Sequence, residues 1–212
     1  MFCNLLYYII GPIIVYPMLR LMNRVRINHL DRLPMEGPVM LIANHLSLWD
    51  PIYLFCMVHR RLNFMGKSEL FEIPALSWIL RHVHVFPVKR NTLDRQALKT
   101  AAETLERGEA LVIFPEGTRS KDGRLLPLKD GAALFAYRSD CTVIPLAISN
   151  TQKTFPKGFR QRITFNFGEP IDMAPYKTME KRGEALTEIT REFTKRLEQL
   201  QKENSEVESI AG

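Results

Sequence analysis

Cysteine is scarce in this chain. Cys3, Cys56 and Cys141 stand far apart in apolar surroundings, and no C-x-x-C spacing occurs. That excludes a disulfide framework and a zinc ribbon, and it fits reduced thiols in a cytosolic compartment. The phosphate-cradling pattern G-x-x-x-x-G-K-[ST] is also missing, so nucleotide hydrolysis has no support. No internal repeat, low-complexity run or Gly/Ser linker divides the 212 residues, a length that suits one domain with a sizeable core. Charge is absent from residues 1–19, of which 15 are hydrophobic. As a straight helix that stretch would reach about 28 Å, close to the hydrocarbon thickness of a bilayer. Gly11, Pro12 and Pro17 interrupt it, however, and proline costs a helix interior about 3 kcal/mol. A bent segment entering one leaflet is expected, with a buried core helix as the alternative. No basic stretch precedes it and no A-x-A site follows, so it does not read as a cleaved signal peptide.

What is present is ordinary for a globular protein: 46% hydrophobic and 25% charged residues, which excludes wholesale disorder. The net charge of +6 and a pI near 9.3 point to a polyanionic partner, nucleic acid or an anionic membrane. Arg20, Arg24 and Arg26 follow the apolar start, which favours a membrane with the rest of the chain on the cytosolic side, the inner membrane in a bacterium. No aromatic–basic groove pattern accompanies the charge, so nucleic acid is not the expected partner.

From Pro38 onward, short apolar runs alternate with helical patterns. Val39–Ala43, Leu62–Met65, His84–Val88, Ala110–Phe114, Val143–Ile148 and Ile163–Phe167 suit strands. Helices are expected over Pro51–Val58 with Asp50 as cap, Phe71–Leu80, Leu93–Arg107 with Thr92 as cap, Gly131–Arg138 after Asp130, and Lys181–Lys202. This alternation implies an α/β domain with a largely parallel or mixed central sheet flanked by helices. The expected division is a membrane-associating segment over 1–30, a catalytic domain over 31–202 and a polar tail over 203–212.

Two loops carry the chemistry. Asn44-His45-Leu46-Ser47-Leu48-Trp49-Asp50 follows one strand, and Phe114-Pro115-Glu116-Gly117-Thr118-Arg119-Ser120 follows another. Ligand sites in α/β sheets gather beyond the carboxyl ends of strands. In a turn, His45 can take a proton from a hydroxyl while Asp50 holds its other ring nitrogen. The plain alternative makes Asp50 a helix cap and His45 a loop histidine. In the second loop Gly117 allows close backbone approach, and Arg119 offers a fork for two phosphate oxygens. Glu116, acceptor-only when ionised, is expected to engage a substrate hydroxyl or to orient Arg119. Lys67, Lys89 and Arg90 follow other strands and could complete a phosphate-binding concavity. Lys153, Lys157, Arg160 and Arg162, interleaved with Phe155 and Phe159, form a further basic stretch suited either to lipid headgroups or to a solvated loop. His82 and His84 alternate with Val83, but no third ligand completes a metal site.

On these residues the chain resembles the 1-acylglycerol-3-phosphate acyltransferase family. The first family motif, N-H-x-x-x-x-D, reads Asn44 through Asp50, and the third matches Phe114–Ser120 throughout. The second and fourth are similar to His84–Arg90 and Val143–Ile148, and the likeness covers roughly residues 35–175. His84 stands where the second motif usually has glycine, Pro87 replaces a bulky apolar residue, and Leu46 occupies a position that is often polar. The resemblance implies transfer of a fatty acyl group from acyl-CoA or an acyl carrier protein to the sn-2 hydroxyl of lysophosphatidic acid, giving phosphatidic acid. His45 would be the base and Asp50 its partner, with Arg90, Glu116, Gly117, Arg119 and Lys67 binding the acceptor. An activated thioester requires no metal and no cofactor beyond this co-substrate. Acylation of glycerol-3-phosphate or of another lysolipid is the alternative, as is a non-catalytic phosphatidic-acid-binding membrane protein.

Overall fold

The computed structural model describes residues 13–89 and 94–210. Seven strands form one sheet: β1 (Arg24–Asn28), β2 (Val39–Ala43), β3 (Leu62–Lys67), β4 (Val85–Val88), β5 (Ala110–Ile113), β6 (Thr142–Ser149) and β7 (Arg162–Phe167). Their order is β1-β7-β6-β2-β5-β3-β4. Strands β6, β2, β5, β3 and β4 run parallel, β7 is antiparallel to β6, and β1 is parallel to β7. The sheet is therefore mixed, with a parallel centre and a reversed pair at one edge.

The centre is buried on both faces, as parallel strands must be when helices cover each side. All five residues of β2 are buried, and they divide by the two-residue period of a strand. Val39, Leu41 and Ala43 face a core with Tyr53, Leu54 and Met57 of α2 (Trp49–Met57), joined by Leu19 of α1 (Tyr16–Met22). Met40 and Ile42 face a second core, which holds Ala101 and Leu105 of α4 (Arg95–Glu106) and Ala133 and Ala136 of α5 (Asp130–Arg138). The same core takes Ile189 and Phe193 from the last helix, α7 (Arg182–Ile210). The remaining helices are α3 (Pro74–His82) and the short α6 (Ala174–Lys177).

Several boundaries differ from those expected. Helix α2 begins at Trp49, so Asp50 lies in its first turn rather than capping it, and Leu48 is the cap position without a side-chain bond. Helix α4 starts two residues later than expected, at Arg95, because Asp94 Oδ1 accepts from the backbone N–H groups of Gln96 and Ala97, both at 3.1 Å. A carboxylate able to take two orphan donors defines the start more strongly than a hydroxyl would. Helix α3 starts at Pro74, where the missing N–H costs nothing. Helix α7 continues to Ile210, so the acidic stretch expected as a tail extends the helix. Strand β1 lies within the stretch assigned to the membrane, and it pairs with β7 from Arg24 to Asn28. Most of the apolar start, residues 1–12, lies outside the described residues; among those described, no helix is long and apolar enough to cross a membrane.

Arg60 staples the edge opposite the C-terminal ends of the parallel strands. Its buried guanidinium donates to the carbonyls of Pro34 and Gly37, to that of Glu36 at 3.3 Å and to that of Gly108 at 3.0 Å. Those carbonyls belong to the turns leading into β2 and β5.

Candidate active site

The C-terminal ends of β2 and β5 are neighbours in the sheet, so the two motif loops emerge side by side. Asn44 fastens the first loop to β6. Its Nδ2 donates to the Ile148 carbonyl at 2.9 Å, and its Oδ1 accepts from the Ile148 N–H at 2.7 Å. This amide continues the strand ladder with a side chain, which stops the chain from drifting before it turns.

The turn brings His45 Nδ1 to 2.7 Å from Asp50 Oδ2. Asp50 is fully buried, so protein groups must satisfy both its oxygens. Oδ2 also accepts the N–H groups of Leu46 at 2.7 Å and Ser47 at 2.8 Å, and Oδ1 accepts from the Thr151 hydroxyl. Position in the first turn of α2 adds a favourable helix-dipole interaction for the carboxylate. With Asp50 at Nδ1, the neutral imidazole carries its proton there, and Nε2 is left as the basic nitrogen. Phe114 stacks on the ring at 4.2 Å between centroids, which limits its rotation.

Glu116 holds the second loop against the first. Oε1 accepts from the His45 N–H at 2.6 Å and Oε2 from the Leu126 N–H at 2.9 Å. The side chain is buried, and that burial raises its pKa, opposed by the two backbone donors and by His45. Both oxygens are thus engaged within the protein. This differs from the expected contact with a substrate hydroxyl, since Glu116 acts on the position of His45. The Ser120 N–H closes the same junction on the His45 carbonyl at 2.8 Å.

His45 lines a cavity of about 710 Å³, within the range of small-molecule sites. Its walls are mostly apolar, with Phe55, Phe64, Leu80, Val85 and Phe135 among them, and Lys67, Lys89 and Lys129 add positive charge. Lys67 pairs with Glu69 at 2.8 Å, and that contact draws the exposed Glu69 carboxyl down to about 2. Gly117 lines the cavity with φ +67°, and a Cβ there would lie 3.0 Å from Lys129 Cε. A side chain at 117 would be strained and would displace the lysine. Arg119 is exposed and is not among the cavity residues. Arg90 lies outside the described residues.

Three contributors escaped the sequence reading. Thr151 comes from the turn after β6, over a hundred residues beyond Asp50, and no local pattern marks it. The role of Glu116 depends on two strands being neighbours. Lys129 precedes α5 with nothing unusual around it, although its N–H donates to the Pro115 carbonyl at 2.9 Å and so joins it to the second motif.

Residues 24–149 match the Acyltransferase family model. The chloroplastic 1-acyl-sn-glycerol-3-phosphate acyltransferase LPAT1 of Arabidopsis thaliana is 35% identical over 151 residues, 70% of this chain and 41% of that protein. The 1-acyl-sn-glycerol-3-phosphate acyltransferase of Bacillus subtilis is 28% identical over 187 residues, covering 86% of this chain and 91% of its own. The chain therefore spans about two fifths of the Arabidopsis protein and nearly all of the Bacillus one. Among solved structures, the 1-acyl-sn-glycerophosphate acyltransferase PlsC of Thermotoga maritima superimposes with a TM-score of 0.68 at 27% identity, over 88% of this chain and 75% of that one. With the family model covering more than half of its length, and both motif loops inside the matched region, this chain belongs to the Acyltransferase family.

Proposed function

We propose that this protein transfers a fatty acyl group from a thioester to the sn-2 hydroxyl of lysophosphatidic acid, forming phosphatidic acid at a membrane surface. The observation that carries the proposal is the 2.7 Å contact between His45 Nδ1 and a buried Asp50, placed at the wall of an apolar cavity. His45 Nε2 takes the proton of the acceptor hydroxyl as its oxygen forms a bond to the thioester carbonyl carbon. The tetrahedral intermediate then collapses, the carbon–sulfur bond breaks, and the imidazolium returns the proton to the departing thiolate. Asp50 stabilises the imidazolium between these steps.

The cavity supplies an apolar environment for acyl chains, and its lysines supply charge for the acceptor's phosphate. Lys67 and Lys129 are the described cations that line it close to the two motif loops, with Arg119 at the exposed end of the second loop and Arg90 expected from the sequence. The names of the relatives support the acceptor class. The apolar start followed by Arg20, Arg24 and Arg26 supports membrane association with the domain on the cytosolic face.

A panel of acyl-CoA and acyl carrier protein donors against lysophosphatidic acid and glycerol-3-phosphate, followed by thiol release, tests the assignment. His45→Ala is expected to lower turnover by roughly 10³-fold, the scale of general-base catalysis. Near-normal turnover in that variant would remove His45 as the base, and turnover with glycerol-3-phosphate alone would reassign the acceptor.

A further inference from the structure

The turn from β6 to β7 carries features that catalysis does not use. Phe155 and Phe159 are 46% and 60% exposed, with ring centroids 5.8 Å apart, so two aromatic side chains form one apolar tip in water. Lys153, Lys157, Arg160 and Arg162 flank them in sequence, all exposed. The loop is fixed at both sides. The Trp49 indole N–H donates to the Phe155 carbonyl at 2.9 Å, and the Arg160 N–H donates to the Met22 carbonyl at 2.6 Å. The first bond joins the loop to the start of α2, beside Leu48 and Ile52, which are exposed and line the cavity. The second joins it to the end of α1, where Met18 and Leu21 are exposed.

The charge on these neighbouring segments has one sign. No acidic residue occurs before Asp31, and none occurs between Asp140 and Glu169. In the β1–β7 register Arg24 lies beside Arg162, a like-charge pair that is unfavourable without an anion nearby. Among the described residues no salt bridge involves Arg24, Arg160, Arg162, Lys153 or Lys157. An apolar tip flanked by cations without salt bridges, bonded to the end of α1 and to the lip of the apolar cavity, matches an interface of anionic headgroups over hydrocarbon. An acidic protein would meet the charge but would leave the paired aromatic rings without a counterpart.

We propose that the β6–β7 loop is an interfacial anchor that inserts Phe155 and Phe159 into an anionic bilayer, and that together with α1 it seats the mouth of the cavity on the lipid surface. The proposal extends the membrane association suggested above by adding a second point of contact, far in sequence from the apolar start but bonded to the end of α1. Two anchoring points fix an orientation, which one segment alone cannot do.

The test uses the full chain and co-sedimentation with vesicles of phosphatidylglycerol and phosphatidylcholine, or of phosphatidylcholine alone. Phe155→Ser/Phe159→Ser is expected to lower the partition coefficient on anionic vesicles roughly tenfold. Lys153→Gln/Lys157→Gln is expected to lower it at low salt, with the loss shrinking as salt screens the headgroups. Turnover of the aromatic double variant on a short-chain acceptor kept monomeric in solution should equal that of the parent. Unchanged partitioning of the double variant overturns the proposal, and so does an equal loss of turnover on the monomeric acceptor. Weakened binding to an acidic acyl carrier protein with vesicle binding intact would also overturn it, making the loop a protein interface. Absence of turnover in the parent would strike the acyl-transfer assignment, leaving vesicle partitioning to decide the anchor.

Discussion

His45 and Asp50, the proposed reactive pair, are held in place by buried groups of the protein itself. Asp50 receives two backbone N–H groups on the oxygen that faces His45 and the Thr151 hydroxyl on the other. Asp50→Asn should therefore do more than remove a charge. Its amide either keeps its oxygen toward the backbone donors or turns an N–H toward Nδ1 and reverses the tautomer. In both cases the charge that would stabilise an imidazolium is gone. A fall in kcat of about 10³–10⁴ is expected, read at saturating acceptor. Thr151→Val removes one hydrogen bond to a buried carboxylate, worth about 1–3 kcal/mol. Because Asp50 orients the imidazole of the proposed base, this change should lower kcat and displace the pH profile while KM stays near its original value. A loss of stability with an unmoved profile would assign Thr151 to packing alone. Glu116→Gln is similarly informative. A glutamine has one oxygen for two backbone donors, so either the His45 or the Leu126 N–H loses its acceptor, and kcat should fall without any direct contact to substrate.

At the scale of elements, His84 offers a prediction about the strand before the cavity. It has φ +57° at the start of β4, a conformation that favours glycine. The family's second motif usually has glycine at this position, and the backbone angle gives the physical reason. Half-burial lowers the His84 pKa, with the nearby Arg61 acting in the same direction and Glu109 against it. A histidine whose folded pKa is depressed binds its proton more readily in the unfolded chain. Its contribution to stability is complete above the unfolded pKa and is lost as pH falls below it. His84→Gly should relieve about 1 kcal/mol of left-handed strain, and it should flatten the decline of Tm between neutral pH and about pH 5.5. Circular dichroism melts at the two pH values check both effects.

The same elements explain what was legible in the sequence. Strands β2, β5 and β6 are covered on both faces, so each is a continuous apolar run that stands out from its surroundings. Strand β1 alternates Arg24, Val25, Arg26 and Ile27 at the sheet edge, and its short charged pattern merges into the stretch before it. Helix starts were misplaced where a cap competed with its neighbours, as Asp94 did with Thr92. The dyad was readable because both residues lie in one turn. The support from Thr151, Glu116 and Lys129 was not, because it follows from which strands sit side by side.

For the whole molecule, Arg60 is placed to affect stability without reaching the proposed site. It binds four carbonyls at the edge of the sheet opposite the site. Arg60→Met leaves those acceptors buried and unmatched, a cost of about 3 kcal/mol. For a chain of this length Tm should drop by roughly 6–12 °C, while kcat at low temperature should remain near normal. A large fall in kcat at a temperature where the fold is intact would show that the two edges are coupled.

The reversed pair β7–β1 has a consequence for how substrate is met. Had β1 run with the central strands, α1 would enter from the far edge. The reversal instead brings α1, the β6–β7 loop and both motif loops to one side of the sheet. A lipid acceptor would then arrive by lateral diffusion within a plane, not by collision from bulk water. The rate should follow the mole fraction of lysophosphatidic acid in the surface rather than its total concentration. Diluting that surface with neutral lipid at fixed total acceptor should slow turnover in proportion, whereas a domain fed from solution would hold its rate.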